Sequence, residues 1–371
     1  MMAPLLRRMG LLCLCLALFT GCWDYRGLNE QTIAAGMAVD LGAHDRGLQL
    51  TFEIMDLEGD DGGAFTSLLL TTTGDTLGEA LNDAHAKLHS KVYLGAADVV
   101  IISQQMAQRE GILPLLDYLV RNPMVQNSAQ IVIAAETRAG DLLTPSEEEE
   151  GAGRILSTAL GESLRGRKQG TGRSADVPLC YEIFSILLEG RKTLALPLVS
   201  GSDTEDIPFQ LEGLALFSGD KMTGKLEKED LPLYLLATAG LQDRAFAIEA
   251  RGPDGSPQNL VLTVRRSNPR LTLLEGDGPP RFHLNISMTA EVVQLPLHWG
   301  PIDEAAFRRM EAGASQTLET QLTALLARHR KEGHDILGLG DATDTTAADL
   351  EIQIQVNIQN AGTLIRTPGG I

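Results

Sequence analysis

The stretch RFHLNISMTAEVV, residues 281–293, alternates apolar and polar side chains from Arg281 to Val292 and decides the fold of the C-terminal part of the chain. A period of two is the pattern of a β-strand with one covered side and one solvent-facing side. The segment LEIQIQVNIQNAG, residues 350–362, repeats the pattern. Two such strands predict an antiparallel or mixed sheet with a single covered face. The residues expected on the covered side are Phe282, Leu284, Ile286, Met288, Ala290, Val292, Leu350, Ile352, Ile354, Val356 and Ile358.

A long amphipathic segment between these strands can supply the cover. From Asp303 to about Lys331 the apolar residues recur at the spacing of one helix face, and the helix is expected to end by Gly333. The simpler interpretation is that this stripe packs on the sheet, and the alternative is that part of it docks a membrane partner. The residues of the stripe are Phe307, Met310, Ala314, Leu318, Leu322, Leu325 and Leu326.

The N-terminal half predicts strands and helices in alternation, which indicates a layered α/β unit. A polar turn between two alternating runs predicts a hairpin, and Thr76 or Asp75 can cap the first helix. A second hairpin signal, in the C-terminal half, surrounds residues 218–221. The predicted elements are a hairpin over 37–52, strands over 67–74, 98–103 and 127–136, and helices from 77 to 88, over 104–121 and from about 144.

The segment PLVSGSDTEDIP, residues 197–208, concentrates turn-forming residues and predicts a domain boundary. We expect an N-terminal α/β region over 22–200 and a C-terminal α+β domain over 201–371. The N-terminal region can be divided into two subdomains, 22–72 with 185–200, and 73–184. The predicted class is therefore mixed α/β, with several small domains that each have a mixed or antiparallel sheet covered by helices.

The 371-residue chain carries a formal net charge of -18 at pH 7, and its 43% hydrophobic and 22% charged residues are typical of a globular protein. Affinity for nucleic-acid phosphates or anionic lipid head groups depends on Lys and Arg. The charge therefore argues against a nucleic-acid partner. A membrane-bound protein of this charge needs an anchor other than a basic patch.

The first 21 residues have the layout of a secretory signal peptide: two arginines, an apolar run of about ten residues, and then small residues. The run is too short to cross a bilayer, which needs about 20 apolar residues. Leu18-Phe19-Thr20-Gly21 before Cys22 approximates a bacterial lipobox, in which the cysteine receives a diacylglyceryl group and becomes the new N-terminus. Two or three acyl chains give stable membrane anchoring.

Two other interpretations of Cys22 are weaker. A disulfide with Cys180 is conceivable, but a chain of this size does not need one for stability. A redox or metal site would require a CxxC or Cys/His spacing, which the sequence lacks.

The sequence contains no pattern of catalytic residues, so we expect a binding or assembly protein that is not an enzyme and has no cofactor or metal. His85 and His89 have the i, i+4 spacing of zinc ligands but lack the glutamate of HExxH. The run Glu147–Glu150 is most simply a solvated helix start. Asp60-Asp61 is a pair of adjacent acids that cannot flank a substrate bond. The loop GRKQGTGRS, residues 166–174, is not a phosphate-binding Walker motif.

The residues after the signal resemble a known family. CWDYRGLNE, residues 22–30, is similar to the Cys-Trp-Asp-x-Arg-Glu-Ile-Asn opening of the Ger(x)C spore germination lipoproteins, the C subunits of nutrient germinant receptors. Gly27 stands where the family commonly has Glu. The positions that match are Cys22, Trp23, Asp24, Arg26 and Asn29, and the resemblance continues in order through 73–103, 111–125, 196–197, 209–226, the long helix, 333–340 and 356–364.

This resemblance implies a lipoprotein on the extracytoplasmic face of the spore inner membrane that is anchored through Cys22. It implies integral membrane partners, an A-type and a B-type receptor subunit, and three small mixed α/β domains without an established enzymatic activity or cofactor. The alternative hypothesis is an envelope lipoprotein that binds a small solute. That class would require two α/β lobes with a ligand cleft between them, and a sheet with one wet face argues against it.

Overall fold

The computed structural model describes the following ranges: 31–43, 46–56, 66–135, 138–143, 156, 160, 178–191, 193–204, 207–251, 257–274, 278–294, 303–343, 348–361 and 364–365. In these ranges the chain forms a nine-stranded sheet, a five-stranded sheet and helices that cover them. This arrangement confirms the predicted mixed α/β class.

The first sheet has parallel strands at its centre and antiparallel strands at both ends. Its order is β3-β2-β1-β5-β6-β7-β8-β9, and the short β4 also pairs with β1. The two central strands β5 and β6 are almost wholly buried, as expected where both faces of a sheet are covered. The strands are β1 (Gln31–Leu41), β2 (Leu48–Asp56), β3 (Thr66–Gly74), β4 (Lys91–Tyr93), β5 (Val99–Ser103), β6 (Gln130–Ala134), β7 (Thr193–Thr204), β8 (Ile207–Ser218) and β9 (Lys221–Glu227).

Four described helices and a 3-10 helix accompany this sheet. The predicted cap of the first helix is confirmed, because the Thr76 hydroxyl accepts the Glu79 N–H at 3.2 Å. The helices are α1 (Leu77–Leu88), α2 (Gln104–Arg109), α3 (Leu113–Arg121) and α4 (Cys180–Leu188), and the 3-10 helix is Ala139–Leu143. The helix predicted from residue 144, with the Glu147–Glu150 run, lies outside the described residues.

The prediction of one helix over 104–121 is wrong, because the chain breaks there into α2 and α3. Gly111 has a φ of 80°, a left-handed conformation that ends the first helix. A Cβ at this position would lie 2.4 Å from Asp220 Oδ2, and the Ile112 N–H donates to the Asp220 carbonyl at 2.9 Å. Pro114 stands in the first turn of α3. Contact with the β8–β9 hairpin therefore sets a break that the local apolar spacing does not reveal.

The turn-rich segment at 197–208 lies within a hairpin of the first sheet. Strands β7 and β8 pair antiparallel from Thr193 and Ser218 to Thr204 and Ile207. A division at residue 200 would cut this hairpin, and β8 and β9 continue the first sheet beyond it. Strands from both subdomains proposed for the N-terminal region also pair within this one sheet.

The second sheet confirms the strands predicted from the alternating segments. It runs in the order β10-β11-β12-β13-β14, with β12 parallel to β13 and the other pairs antiparallel, so the sheet is mixed. Residues at alternate positions of β12, from Phe282 to Val292, are buried as expected. The strands are β10 (Arg244–Arg251), β11 (Pro257–Leu274), β12 (Arg281–Gln294), β13 (Asp349–Ala361) and β14 (Leu364–Ile365).

The long helix predicted between β12 and β13 is present and packs on this sheet. Its N-cap is Asp303, whose carboxylate accepts the Ala306 N–H at 2.7 Å. The stripe from Phe307 to Leu325 is buried and Leu326 is partly buried, which confirms the simpler interpretation of its apolar face. The helices of this part are α5 (Leu231–Thr238), α6 (Glu304–Lys331) and α7 (Leu339–Thr343), with a 3-10 turn at Lys228–Asp230.

Helix α6 also covers the outer edge of β13. The N–H groups of Ile354, Val356 and Ile358 donate to side chains of α6. The acceptors are spaced four residues apart on α6, a rise of about 6 Å, and the donors are spaced two residues apart on β13, a rise of about 6.6 Å. The donors and acceptors therefore stay aligned along the strand. This arrangement protects an edge that would otherwise be open to another strand. The acceptors are Glu319 Oε1 at 2.8 Å, Ser315 Oγ at 3.3 Å and Glu311 Oε1 at 2.9 Å.

Two apolar cores lie on opposite faces of the first sheet. Along β1, Met37 and Val39 pack with helices α1–α4, whereas Ala38 faces the other way. The core that contains Ala38 also contains Leu284 of the second sheet and Phe307 of α6. The second sheet and its long helix therefore share one continuous core with the first sheet.

Candidate functional site

Cys22, the residue predicted to be lipidated, and the predicted motif residues Trp23, Asp24, Arg26 and Asn29 lie outside the described residues. The description begins at Gln31, the first residue of β1. Residues Gln31–Ile33 pair in parallel with β4, and the strand then runs into the centre of the first sheet. The chain that follows Cys22 therefore joins the fold at the β4 end of the first sheet.

This end of the sheet carries the two histidines that the sequence singled out. His89 is exposed and takes the left-handed conformation at the end of α1, with its N–H donating to the His85 carbonyl at 2.9 Å. Partial burial, and then the charge of Lys91, lower the pKa of His85. The three-residue cluster of potential metal ligands in the described part of the chain lies elsewhere and includes neither histidine.

Cys180 begins α4 and is a free, fully buried cysteine. Its N–H donates to the Ala129 carbonyl at 2.9 Å, and burial raises the pKa of its thiol to about 11. A thiol with such a pKa holds very little thiolate at neutral pH and is a poor nucleophile. Cys180 is therefore a core residue in this structure.

Asp40 is a buried acid that the sequence reasoning did not single out. Its carboxylate accepts the N–H groups of Ala139 at 2.8 Å and Gly140 at 3.0 Å. Burial raises the pKa of Asp40, and these two N–H groups oppose that rise. Both oxygens hold the 3-10 helix against β1, which is a structural role.

A cleft of about 640 Å³ opens beside Asp40, between β1, β2 and α2. Its lining includes Gln49, Ser103, Gln104 and Arg138. All the lining residues belong to the first sheet and its adjoining segments. The solute-binding hypothesis requires a cleft between two lobes, and this cleft is not of that kind.

Asp60-Asp61 and the loop 166–174 lie outside the described residues.

His329, Glu332 and His334 form a compact group at the end of α6, called here the His329 cluster. Nδ1 of each histidine lies 3.7 Å from Glu332 Oε2, and the three potential ligand atoms all lie within 4.8 Å of one another. The imidazole of His329 is buried, and neither of its nitrogens has a hydrogen-bond partner. The spacing H-x-x-E-x-H is readable in the sequence, but it crosses the end of a helix, so helical periodicity alone does not reveal it.

In the described ranges no helix combines the length and the apolar character needed to cross a bilayer. The longest, α6, turns its apolar stripe to the core and carries four basic residues in its last turn.

Comparison with known proteins finds a matching family model for each half of the chain. Residues 24–200 match the family model described as the spore germination protein N-terminal domain, and residues 212–362 match the model described as spore germination B3/GerAC like, C-terminal. The turn-rich segment at 197–208 spans most of the gap between the two matches.

Similar curated proteins come from bacilli. Spore germination protein KC of Bacillus subtilis strain 168 is 22% identical over 358 residues, covering 89% of this chain and 85% of that protein. Spore germination protein GerQC of Bacillus cereus is 23% identical, covering 86% and 85%. Spore germination protein B3 of Bacillus subtilis strain 168 is 26% identical, covering 72% and 69%.

The fold also resembles a solved structure. The crystal structure of the GerBC protein superposes with a TM-score of 0.53 over 87% of this chain and 96% of that chain, at 13% sequence identity. At this identity the likeness concerns the fold.

Proposed function

The chain belongs to the GerAC family of spore germination proteins, and from this premise we propose that it is a lipid-anchored, non-enzymatic subunit of a nutrient germinant receptor. The observation that carries the proposal is the family match in both halves of the chain, together with the signal and lipobox pattern that ends at Cys22. The proposed cellular location is the extracytoplasmic face of the spore inner membrane.

The position of β1 supports an anchor at Cys22. Gln31 lies nine positions after Cys22, and nine extended residues span at most about 30 Å. The membrane surface would then lie near the β4 end of the first sheet. With a formal net charge of -18, the chain gains little from electrostatic attraction to anionic lipids. Acyl chains on Cys22 would supply the attachment, at about 0.8 kcal/mol for each buried methylene group.

The non-enzymatic role rests on what the polar residues do. Asp40 is held by two backbone N–H groups, Cys180 is buried in the core, and the sequence contains no motif of a nucleophile with its base. The proposed partners are the A-type and B-type integral membrane subunits that the family resemblance implies. The protein would act by assembling with them.

Replacement of Cys22 by alanine tests the proposal. In the spore-forming host, Cys22→Ala should lose lipid labelling, leave the membrane fraction and reduce the germination response to nutrients. Cys15→Ala is the matched control, because it removes a cysteine from the same signal and should preserve all three properties. Normal membrane retention with a normal nutrient response in Cys22→Ala would refute the proposal.

A further inference from the structure

We propose that the His329 cluster binds one Zn²⁺ ion through His329, Glu332 and His334, and that this ion fixes the turn that follows α6. The inference concerns the folded chain itself. It does not depend on lipid anchoring or on receptor assembly.

The donor set and the spacing fit zinc. Two imidazoles and one carboxylate, with water in the fourth position, are a recurrent tetrahedral zinc site. Ligand atoms about 2.0–2.2 Å from a tetrahedral ion lie about 3.4 Å apart. The two distances of 3.7 Å to Glu332 Oε2 are only slightly longer. All three atoms lie within 4.8 Å of one another, so rotation of the imidazoles would bring them to bonding distance of one ion.

The buried imidazole of His329 is the observation that points to a ligand. Its side chain is 4% exposed, and its two nitrogens, together with His334 Nδ1, have no hydrogen-bond partner. Buried polar atoms without partners are rare in folded proteins. Glu332 Oε2, 3.7 Å from His329 Nδ1, is too distant for a hydrogen bond but suitably placed to share a cation. Glu332 itself is half exposed, which leaves a solvent path to the site.

The electrostatic surroundings also suit a cation. The cluster lies at the C-terminal end of a 28-residue helix, where the aligned peptide dipoles give a negative partial charge. Two neighbouring arginines are directed to other partners, since Arg328 pairs with Asp230 and Arg330 donates to the Ala348 carbonyl at 2.9 Å. Lys331 is exposed. The positive charges of this last turn are thus partly neutralised or solvated.

The backbone places His334 against the first sheet. Gly333 takes a φ of 85°, and the His334 N–H donates back to the His329 carbonyl at 2.8 Å. A Cβ at Gly224 of β9 would lie 2.2 Å from His334 Cε1 and 2.5 Å from its Nε2. The missing side chain at residue 224 therefore makes the space that the imidazole occupies. An ion held by His334 would fix this imidazole in the position where it packs against Gly224 of β9.

Calorimetric titration with ZnCl₂ tests this inference. The full-length chain, purified in detergent without a polyhistidine tag and stripped with EDTA, should bind one Zn²⁺. Glu332→Gln and His334→Ala should weaken binding by more than the about 10- to 100-fold that loss of an outer-shell partner costs. Zinc should raise the melting temperature of the wild type but not that of Glu332→Gln.

Matched controls separate this site from other histidines and from general damage. The double variant His85→Ala/His89→Ala should bind zinc as the wild type does. Gly224→Ala should weaken binding because it displaces His334, whereas Gly78→Ala, where a Cβ meets nothing within 4 Å, should not. If His329→Ala does not fold, Glu332→Gln still decides the test. Glu332 is half exposed, so its replacement should not disturb folding. Absence of saturable binding, or equal affinity in Glu332→Gln, His334→Ala and wild type, would overturn the inference.

Discussion

Removal of the Glu319 carboxylate should weaken the C-terminal part of the fold by a measurable amount. In the structure the Ile354 N–H donates to Glu319 Oε1 at 2.8 Å, and Ile354 is buried. A hydrogen bond to a charged group contributes about 1.5–3 kcal/mol, and Glu319→Ala leaves the N–H on the edge of β13 without this acceptor. We expect the free energy of unfolding to fall by about 2 kcal/mol. For a folding unit of about 150–250 residues, this lowers the melting temperature by about 4–8 °C.

Urea and thermal unfolding followed by circular dichroism would measure the loss. Glu319→Gln keeps an acceptor without the charge, so it should cost roughly half as much. Hydrogen exchange should be faster at the Ile354 amide in Glu319→Ala. Gln316→Ala is the control, because Gln316 is exposed on the preceding turn of α6. Its replacement should change the free energy of unfolding by no more than about 0.5 kcal/mol. Equal stability of Glu319→Ala and Gln316→Ala would refute the account of edge protection by α6.

Two further predictions follow from the described side chains. The thiol of Cys180, with its pKa raised to about 11, should react with Ellman's reagent only after unfolding, using Cys180→Ala as the blank; rapid reaction of the native protein would contradict its burial. Arg265 Nη2 lies 2.6 Å from Glu291 Oε2 and holds the pKa of Glu291 below its usual 4.5. The stabilisation of the fold by this ion pair should therefore be complete above pH 4.5, and it should be lost as the pH falls through the lower pKa that Glu291 has in the folded state. Carbon-13 NMR titration should show this pKa rising in Arg265→Ala and unchanged in Arg308→Ala; an unchanged value in Arg265→Ala would contradict it.

Elements set by local periodicity could be predicted from the sequence, and elements set by distant contacts could not. The alternation in residues 281–293 and the stripe from Phe307 to Leu325 are local patterns, and the structure confirms both. The break at Gly111 depends on Asp220, more than 100 residues away. The hairpin at 197–208 contains turn residues that suit a domain boundary equally well.

The functional residues show the same limit. The proposed anchor motif at Cys22 is contiguous and readable, although it lies outside the described residues. The His329 cluster forms only because the chain turns back at Gly333 and Gly224 leaves room for the imidazole. The edge contacts of β13 depend on the alignment of α6, which no local pattern specifies.

Isolation of the chain from membranes of dormant spores tests the central claim most directly. After mild cross-linking and affinity purification, mass spectrometry should find an N-terminal peptide that begins with diacylglyceryl-modified Cys22. It should also find two multi-spanning membrane proteins in comparable amounts, as expected for a receptor subunit. Recovery of the chain alone, with Cys22 unmodified, would contradict the account.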